Sequence, residues 1–364
     1  MSWYCPLPFT SLSSNTLGGY ALCCESAPSP YHCTDTTMSE FDQSDYMKKV
    51  RDGFLSDDPL SVKEIREACF QCKGKEDQGA ISKRQREIAN NNPSYNSFME
   101  LKLIGNICNY ACAMCHPVSS SKLAEEWGVD IPKWFELSDQ WYDDFREISK
   151  NYTLFKFSGG EPFMSPTTNK ILDILRESGN SHNMTIQFNS NGSASKKVLS
   201  KLLEDFGRIS FCFSVDAWGQ RNEVIRKHST WEFTEERLWD YGELLYKYNN
   251  LWLSIHPCIM TLNIGYLYEF QEYVEQHQFL QPRLQFSVSN TLFEPSKLNA
   301  AHLSNNIKEK YLEDNKEFLN SGLIHSPESV LNILNNRTDE NMELVLQGME
   351  RIPNAEKWYP EIFN

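Results

Sequence analysis

Three cysteines within eight residues carry the clearest chemical signal in the chain. Cys108, Cys112 and Cys115 have the spacing C-x3-C-x2-C and follow residues 99–103, whose apolar–polar alternation predicts a strand. Thiolates are soft ligands that favour iron–sulfur clusters or zinc. A cubane cluster normally takes four cysteines, so three leave one iron open to a substrate. Two alternatives stay open here: a chance grouping, and a zinc site completed by His116.

A second motif follows about forty residues later. Residues 153–157 predict another strand, which runs into Gly159, Gly160, Glu161 and Pro162. Paired glycines let the backbone approach a ligand closely, and a carboxylate can receive an ammonium group. Alone, such a sequence is most often just a turn. Directly after a strand and downstream of the three cysteines, it indicates a ligand site.

The two motifs together resemble the radical S-adenosylmethionine (SAM) superfamily. The resemblance implies that Cys108, Cys112 and Cys115 hold a [4Fe-4S] cluster whose fourth iron is chelated by SAM. It implies that the G-G-E-P turn lies against the methionine part of SAM. It also implies reductive cleavage of SAM to a 5′-deoxyadenosyl radical that abstracts hydrogen from a substrate. The family usually has an aromatic residue before the third cysteine, whereas this chain has Met114 at that position, which we expect to contact SAM.

Strand and helix patterns alternate downstream of residue 98 and predict the scaffold for these motifs. The predicted strands are 99–104, 153–158, 184–189, 208–215, 251–257 and 283–288, and the predicted helices are 137–149, 166–179, 195–205, 232–248 and 264–277. Six β-α units imply a parallel sheet with right-handed crossovers, too small to close an eight-stranded barrel. We therefore predict an α/β fold with an open, partial (β/α)6 barrel, as the resemblance also implies. The active site should lie at the C-terminal strand ends.

Polar side chains stand at two further predicted strand ends. The third strand ends in the run Asn189, Ser190, Asn191 and Gly192, and Ser214 and Asp216 close the fourth strand, with Arg226 ten residues beyond Asp216. Such groups can hydrogen-bond a ribose, and arginine can pair a carboxylate. The resemblance implies that they contact SAM. The alternative is ordinary capping of the helices that follow.

A second cysteine group lies in residues 1–95. Most of these cysteines lie in a predicted hairpin over 12–24 and a predicted helix over 62–72. Four of these cysteines could together fill every protein-ligand position of one metal site: Cys5, Cys23, Cys69 and Cys72. A structural zinc ribbon is one interpretation. The spacing also resembles the SPASM and shortened twitch modules of radical SAM enzymes, which implies a second, auxiliary iron–sulfur cluster, although the family usually places the module after the barrel. Cys24 fits the motif as well as Cys23, and we predict Cys33 to be a surface thiol.

Composition limits the remaining possibilities. The chain has 364 residues, 11 cysteines and a formal net charge of −14. The acidic charge makes a nucleic-acid partner improbable. The sequence shows neither a run of about twenty apolar residues nor a signal peptide, so we expect no membrane span and a reducing cytoplasm, where disulfides are rare. We predict a cluster module over 1–95, the barrel over 96–295 and a helical extension over 296–364.

The predicted function is that of a radical SAM enzyme with a [4Fe-4S] cluster, SAM and an auxiliary cluster as cofactors. The family's cluster modules often accompany peptide modification, so a peptide or protein is the first candidate substrate and a small metabolite the second. The electron donor would be a protein such as flavodoxin or ferredoxin. The alternative from a different functional class is a non-catalytic zinc-binding interaction protein.

Overall fold

The computed structural model of the chain describes residues 3–77, 81–90, 97–102, 105–277, 284–288, 290–292, 294–321 and 324–363. The strands are, in chain order, β1 (Ser11–Ser14), β2 (Gly19–Ala21), β3 (Pro28–His32), β4 (Phe98–Leu101), β5 (Ala111–Cys112), β6 (Leu154–Phe157), β7 (Thr185–Ser190), β8 (Arg208–Phe213), β9 (Arg226–Lys227), β10 (Leu251–Ile255), β11 (Leu284–Ser287) and β12 (Ile324–His325). Within these ranges, ten strands form one sheet in the order β12-β11-β10-β8-β7-β6-β4-β1-β2-β3, and β5 pairs with β9 apart from it.

The sheet is parallel from β12 to β1, and only the hairpin β1-β2-β3 runs antiparallel. From β4 to β12 the strand order follows the chain order without reversal. Right-handed crossovers then place all the connecting helices on one face, as in a barrel, whereas a doubly wound sheet reverses its order. The α/β class and the partial barrel are confirmed.

The helices connect and flank these strands. They are α1 (Leu7–Thr10), α2 (Met38–Asp42), α3 (Asp45–Phe54), α4 (Lys63–Ala68), α5 (Phe70–Asp77), α6 (Lys83–Asn90), α7 (Ser121–Trp127), α8 (Asp139–Ile148), α9 (Pro166–Glu177), α10 (Lys196–Asp205), α11 (Gly219–Ile225), α12 (Trp231–Lys247), α13 (Tyr268–Gln276), α14 (Asn305–Asp314), α15 (Lys316–Asn320), α16 (Glu328–Asn335), α17 (Met342–Met349), α18 (Ala355–Trp358) and α19 (Pro360–Phe363). Several begin at side-chain caps: Ser138, Ser195 and Thr230 each accept a hydrogen bond from the N–H three residues on.

The two faces of the sheet differ in chemistry because side chains alternate along each strand. On one face lie Met99, Phe155, Ile186 and Ile209, all fully buried in the core with side chains from helices α8 to α13. The opposite face, here called the lumen face, carries polar residues in register across the strands: Glu100, Lys156, Gln187 and Ser210. A polar concave face beneath the strand ends suits a binding cavity better than a second core.

The six predicted strands correspond to β4, β6, β7, β8, β10 and β11, and the five predicted helices to α8, α9, α10, α12 and α13. Positions 103–104 of the first predicted strand, and the first residue of the last, at position 283, lie outside the described residues, as do 91–96 around the predicted domain boundary. The predicted hairpin is confirmed as β1-β2. The predicted helix over 62–72 is divided at Cys69 into α4 and α5.

The segments before and after the barrel add strands to its sheet, which the sequence did not indicate. Strand β1 pairs with β4 in parallel, so the cysteine-rich N-terminal segment shares the barrel sheet. At the other end, β12 pairs with β11. The outer strand β3 contains Pro28 and Pro30, which suit an edge because proline donates no ladder hydrogen bond.

The C-terminal part is mainly helical, as predicted, and its tail is anchored at two points. Arg221 of α11 donates to the carbonyl of Trp358, and Glu361 accepts from the hydroxyls of Tyr266 and Tyr311. Across the described ranges, no helix combines the length and apolarity needed to cross a membrane.

Candidate active site

The three-cysteine loop follows β4 and is held at the C-terminal edge of the sheet. Strand β5, which contains Cys112, pairs with β9, and the N–H of Ala113 donates to the carbonyl of Ile225 at 2.8 Å. Cys112 is buried, while Cys108 and Cys115 are half-buried. The short β5-β9 ribbon thus fixes the loop to the end of α11.

Burial disfavours the thiolate form of all three cysteines of the loop. It raises the pKa of Cys115 to about 11, and it also raises the pKa values of Cys108 and Cys112. The thiol of Cys108 adds to the rise for Cys112 and Cys115, and the charge of Glu161 adds to the rise for Cys108. A thiolate ligand needs a cation nearby to offset this cost, and a metal cluster supplies it. In the described part of the chain, no three His, Cys, Asp or Glu side chains lie close enough to hold a single metal ion. Three thiols on one loop, one of them buried and two half-buried, are the kind of donor that an iron–sulfur cluster takes.

The G-G-E-P turn packs directly against this loop. The N–H of Gly160 donates to the carbonyl of Gly105 at 3.2 Å, and the N–H of Glu161 donates to the carbonyl of Ile107 at 2.6 Å. A Cβ on Gly160 would lie 2.2 Å from the Ile107 oxygen, closer than any side chain tolerates. Gly159 adopts a φ of 136°, which favours glycine. The paired glycines therefore let the turn approach the cysteine loop itself.

Replacing Gly160 by alanine tests this contact. We expect a lower iron content and weaker SAM binding together, because the new Cβ must displace the backbone one residue before Cys108. Iron per chain and equilibrium dialysis with SAM are the measurements. Gly74→Ala in α5 is the control, since a Cβ there meets no atom within 4 Å. Wild-type iron and SAM affinity in Gly160→Ala would show that the turn is not constrained by the loop.

Glu161 is buried and connects two strand ends. One carboxylate oxygen accepts from the Ser190 hydroxyl at 2.8 Å and from the N–H of Phe163, and the other accepts from the N–H of Asn191 at 2.7 Å. Burial raises the pKa of Glu161 to about 7, although these three donors and the charge of Arg226 oppose the rise. The side chain therefore ties the turn after β6 to the loop after β7. Pro162 follows at the start of a short 3-10 turn, Pro162–Met164.

Asp216 and Arg226 form a buried ion pair beside the cysteine loop. The Arg226 Nε lies 2.7 Å from Asp216 Oδ2, and a guanidinium Nη1 lies 3.9 Å from the Sγ of Cys112. Asp216 Oδ1 also accepts from the N–H of Cys258. Burial raises the pKa of Asp216, opposed by the positive charge of Arg226. Asp216 thus positions Arg226 so that its positive charge faces a predicted cluster ligand.

The other predicted SAM contacts are placed as follows. Ser190 faces Glu161, whereas Asn189 points to the opposite face of β7 and is exposed. Ser214 is half-buried, and its N–H donates to the carbonyl of Ser190. Met114 is half-buried within the cysteine loop. Direct contact of these residues with SAM stays a prediction.

Asn191, in the polar run at the end of β7, lies beside the cysteine loop. Its amide nitrogen lies 3.9 Å from the Sγ of Cys108 and donates to the side chain of Asn109 at 2.8 Å. Its position directly after β7 brings it to the loop, because strand ends of a parallel sheet share one edge. Asn191 and Arg226 therefore contact two different thiols of the loop.

The four N-terminal cysteines come together around one small cavity. Its wall is otherwise largely apolar, and it includes Cys5, Cys23, Cys69 and Cys72 with Trp3, Leu22, Phe54 and Arg84. Burial raises the pKa of Cys5 to about 12, and it also raises the pKa values of Cys23 and Cys69 above their ordinary range. The division of the helix at Cys69 lets α5 begin here, with Cys72 on its first turn. Buried thiols grouped in an apolar cavity fit a second set of cluster ligands.

The neighbouring cysteines behave differently. Cys24 does not line this cavity and instead interacts with Glu100, Lys83 and Lys102 on the lumen face. Cys33 is buried, so its prediction as a surface thiol was wrong. Cys212 lies buried in β8, and Cys258 lies three residues beyond the end of β10.

Comparison with known proteins agrees with the site. Residues 103–248 match the family model of the Radical SAM superfamily. No curated protein matches the chain significantly. Among solved structures, "Native anSMEcpe with bound AdoMet" is 18% identical with a TM-score of 0.44, and the match covers 68% of this chain and 66% of that one.

Two other solved structures are similar to smaller extents. SuiB of Streptococcus suis bound to precursor peptide SuiA is 10% identical with a TM-score of 0.40, covering 63% of this chain and 49% of that chain. TYW1 with a lysine-pyruvate adduct bound is 15% identical with a TM-score of 0.33, and the match covers 57% of this chain and 70% of that chain. The chain spans less than two thirds of the length of the anSMEcpe structures that it matches.

The fold and site define an open parallel α/β barrel with a three-thiol loop at the C-terminal edge of its strands. Residues 103–248, which include the three-thiol loop and the G-G-E-P turn, are the part of the chain that is similar to the Radical SAM superfamily model.

Proposed function

We propose that the chain is an enzyme that reductively cleaves SAM at a [4Fe-4S] cluster held by Cys108, Cys112 and Cys115. One observation carries the proposal: three grouped thiols, two of them contacted by Asn191 and Arg226, lie on a loop bonded to the G-G-E-P turn. Three thiolates complete the coordination of three irons and leave the fourth for SAM. When bound, SAM supplies a 5′-deoxyadenosyl radical on one-electron reduction.

The chain's own residues would hold SAM and shield the site. Arg226 offers positive charge beside the cluster, balanced by the buried carboxylate of Asp216. Glu161 keeps the turn and the loop after β7 in one arrangement, so that the surfaces facing SAM are preformed. The chain's contribution is therefore positioning and exclusion of water, while the cofactor carries the radical chemistry.

We also propose that Cys5, Cys23, Cys69 and Cys72 hold an auxiliary iron–sulfur cluster. The support is their convergence on one cavity together with the sequence resemblance to a twitch module. Four thiolates leave no open iron, so this cluster would not bind SAM. A peptide or protein is the proposed substrate class, because such modules often accompany peptide modification. A protein such as flavodoxin or ferredoxin is the proposed electron donor.

Metal analysis separates this proposal from the zinc-binding rival. Protein purified and reconstituted without oxygen should contain about eight irons and eight sulfides per chain, with a broad visible absorption band. The proposal would be contradicted by protein that is purified from zinc- and iron-supplemented cells, contains stoichiometric zinc and retains no iron on reconstitution.

The substrate class is tested by isotope transfer. A perdeuterated candidate peptide, chosen from short reading frames beside the gene, should raise 5′-deoxyadenosine formation and place deuterium in it. Deuterium transfer from a small metabolite, with none from the peptides, would favour the metabolite alternative.

A further inference from the structure

A buried ion pair of Arg84 with Glu76 borders the four-cysteine cavity, the cavity lined by Cys5, Cys23, Cys69 and Cys72. The Nε and Nη2 of Arg84 lie 2.9 Å and 2.8 Å from the two carboxylate oxygens of Glu76, so the pair is bidentate. Their side chains are only 11% and 13% exposed. Among the described residues, Arg84 is the one charged side chain in the wall of the cavity, and Glu76 lies outside that wall.

Further contacts hold both members of the pair in place. Glu76 also accepts hydrogen bonds from the indole N–H of Trp3 at 2.7 Å and from the hydroxyl of Ser82. Arg84 donates through Nη1 to the carbonyl of Tyr4 at 2.8 Å, one residue before a predicted cluster ligand. Its guanidinium also lies over the Trp3 ring, 4.8 Å from the ring centre. Together these contacts fix the guanidinium beside the four-cysteine cavity.

The field of Arg84 reaches two of the four thiols. Burial raises the pKa values of Cys5 and Cys69, and the charge of Arg84 opposes the rise at both. Glu87 acts in the opposite sense at Cys5. The positive member of the ion pair is therefore directed at the predicted ligand set, with its carboxylate partner Glu76 on the outer side.

The ion pair has a clearer electrostatic use than a structural one. Buried ion pairs lose hydration, and apolar residues of similar volume often stabilise a protein as well or better. A cluster held by four thiolates is anionic, and its reduction adds one more negative charge. A fixed cation beside such a cluster favours the reduced form, because local charge is one of the factors that set the potential of an iron–sulfur cluster.

We propose that Arg84 raises the reduction potential of the auxiliary cluster, and that Glu76 limits this effect by holding Arg84 and neutralising part of its charge. This inference rests on the proposed function, because it requires the auxiliary cluster. The electron comes from the proposed electron donor protein. Arg84 and Glu76 exchange no electron with the cluster; they change the free energy of its one-electron reduction.

A redox titration of the auxiliary cluster tests the inference. A Cys115→Ala background, which should lack the cluster of the three-cysteine loop, isolates the electron paramagnetic resonance signal of the auxiliary cluster. Its midpoint potential is measured with dithionite and mediator dyes without oxygen. Adding Arg84→Gln should shift the reduction equilibrium about tenfold toward the oxidised cluster, a potential about 59 mV lower for one electron. Arg84→Lys keeps the positive charge and should keep the potential closer to that of the background.

Glu76→Gln distinguishes an electrostatic role from a structural one. It removes the negative charge of the pair but keeps a side chain that accepts hydrogen bonds, so the potential should rise. Damage to the module would not produce shifts of opposite sign in Glu76→Gln and Arg84→Gln. Arg86→Gln, on the same helix α6, is the matched control, because it removes the same charge from a side chain that is 51% exposed and screened by solvent. It should leave the potential unchanged.

The outcomes separate this inference from the proposed function. A potential that Arg84→Gln does not lower, or that Glu76→Gln does not raise, would overturn the inference. If Arg84→Gln fails to retain the cluster, the direction of the shift in Glu76→Gln decides, and loss of the cluster from both variants would show a structural role and overturn it as well. A Cys115→Ala background that holds no iron would refute the auxiliary cluster itself, a result obtained before either residue of the pair is changed.

Discussion

Replacing Cys108, Cys112 or Cys115 by alanine is expected to abolish cleavage of SAM and to remove about four irons per chain. Each thiol is one of only three local ligands, and two thiolates do not retain a four-iron cubane. The measurement is 5′-deoxyadenosine formed under dithionite, followed by mass spectrometry, with iron determined on the same sample. Wild-type product formation by any of the three variants would refute the assignment of the loop.

Cys33→Ala is the matched control for this series. Cys33 is also buried, but it lies in the turn after β3 and lines neither group of thiols. Its loss should leave iron content and SAM cleavage near the wild-type level, so a general effect of removing a buried cysteine is distinguished from loss of a ligand.

The double variant Cys69→Ala, Cys72→Ala is expected to lose about half of its iron, because one of two four-iron clusters disappears. The three-cysteine loop is attached to β4, β9 and the G-G-E-P turn rather than to α5, so SAM cleavage should continue. Substrate turnover should fall much further than SAM cleavage does. Iron per chain and 5′-deoxyadenosine are measured together.

A comparison of Cys23 with Cys24 sharpens this prediction. Only Cys23 lines the four-cysteine cavity, whereas Cys24 faces the lumen. Cys23→Ala should therefore reduce iron, while Cys24→Ala should not. Unchanged iron in both Cys23→Ala and the double variant would show that the four-cysteine cavity holds no cluster.

Much of the fold was predictable from the sequence. The buried strands β4, β6, β7 and β8 are short apolar runs ending in polar residues, a local signal. The joining of β1 and β12 to the same sheet was not predictable, because short strands carry too little periodicity to reveal a distant partner. Division of the helix at Cys69 likewise depends on the cavity that its thiol enters.

The sequence identified candidate ligands at the site but not the bonding between its parts. The spacing of Cys108, Cys112 and Cys115 marks them as candidates, since three thiols on one loop leave a local pattern, and their role as cluster ligands stays a prediction. The ion pair of Asp216 with Arg226 and the contact of Gly160 with Ile107 join separate parts of the chain and have no local signature. The choice between Cys23 and Cys24 required the direction of each side chain.

Electron paramagnetic resonance of the reduced protein, recorded with and without SAM, tests the central claim most directly. The Cys69→Ala, Cys72→Ala variant isolates the signal of the cluster at the three-cysteine loop. Because SAM would coordinate an iron that no cysteine occupies, we predict that adding SAM shifts the g-values of this signal. A cluster signal that is identical with and without saturating SAM would contradict the account.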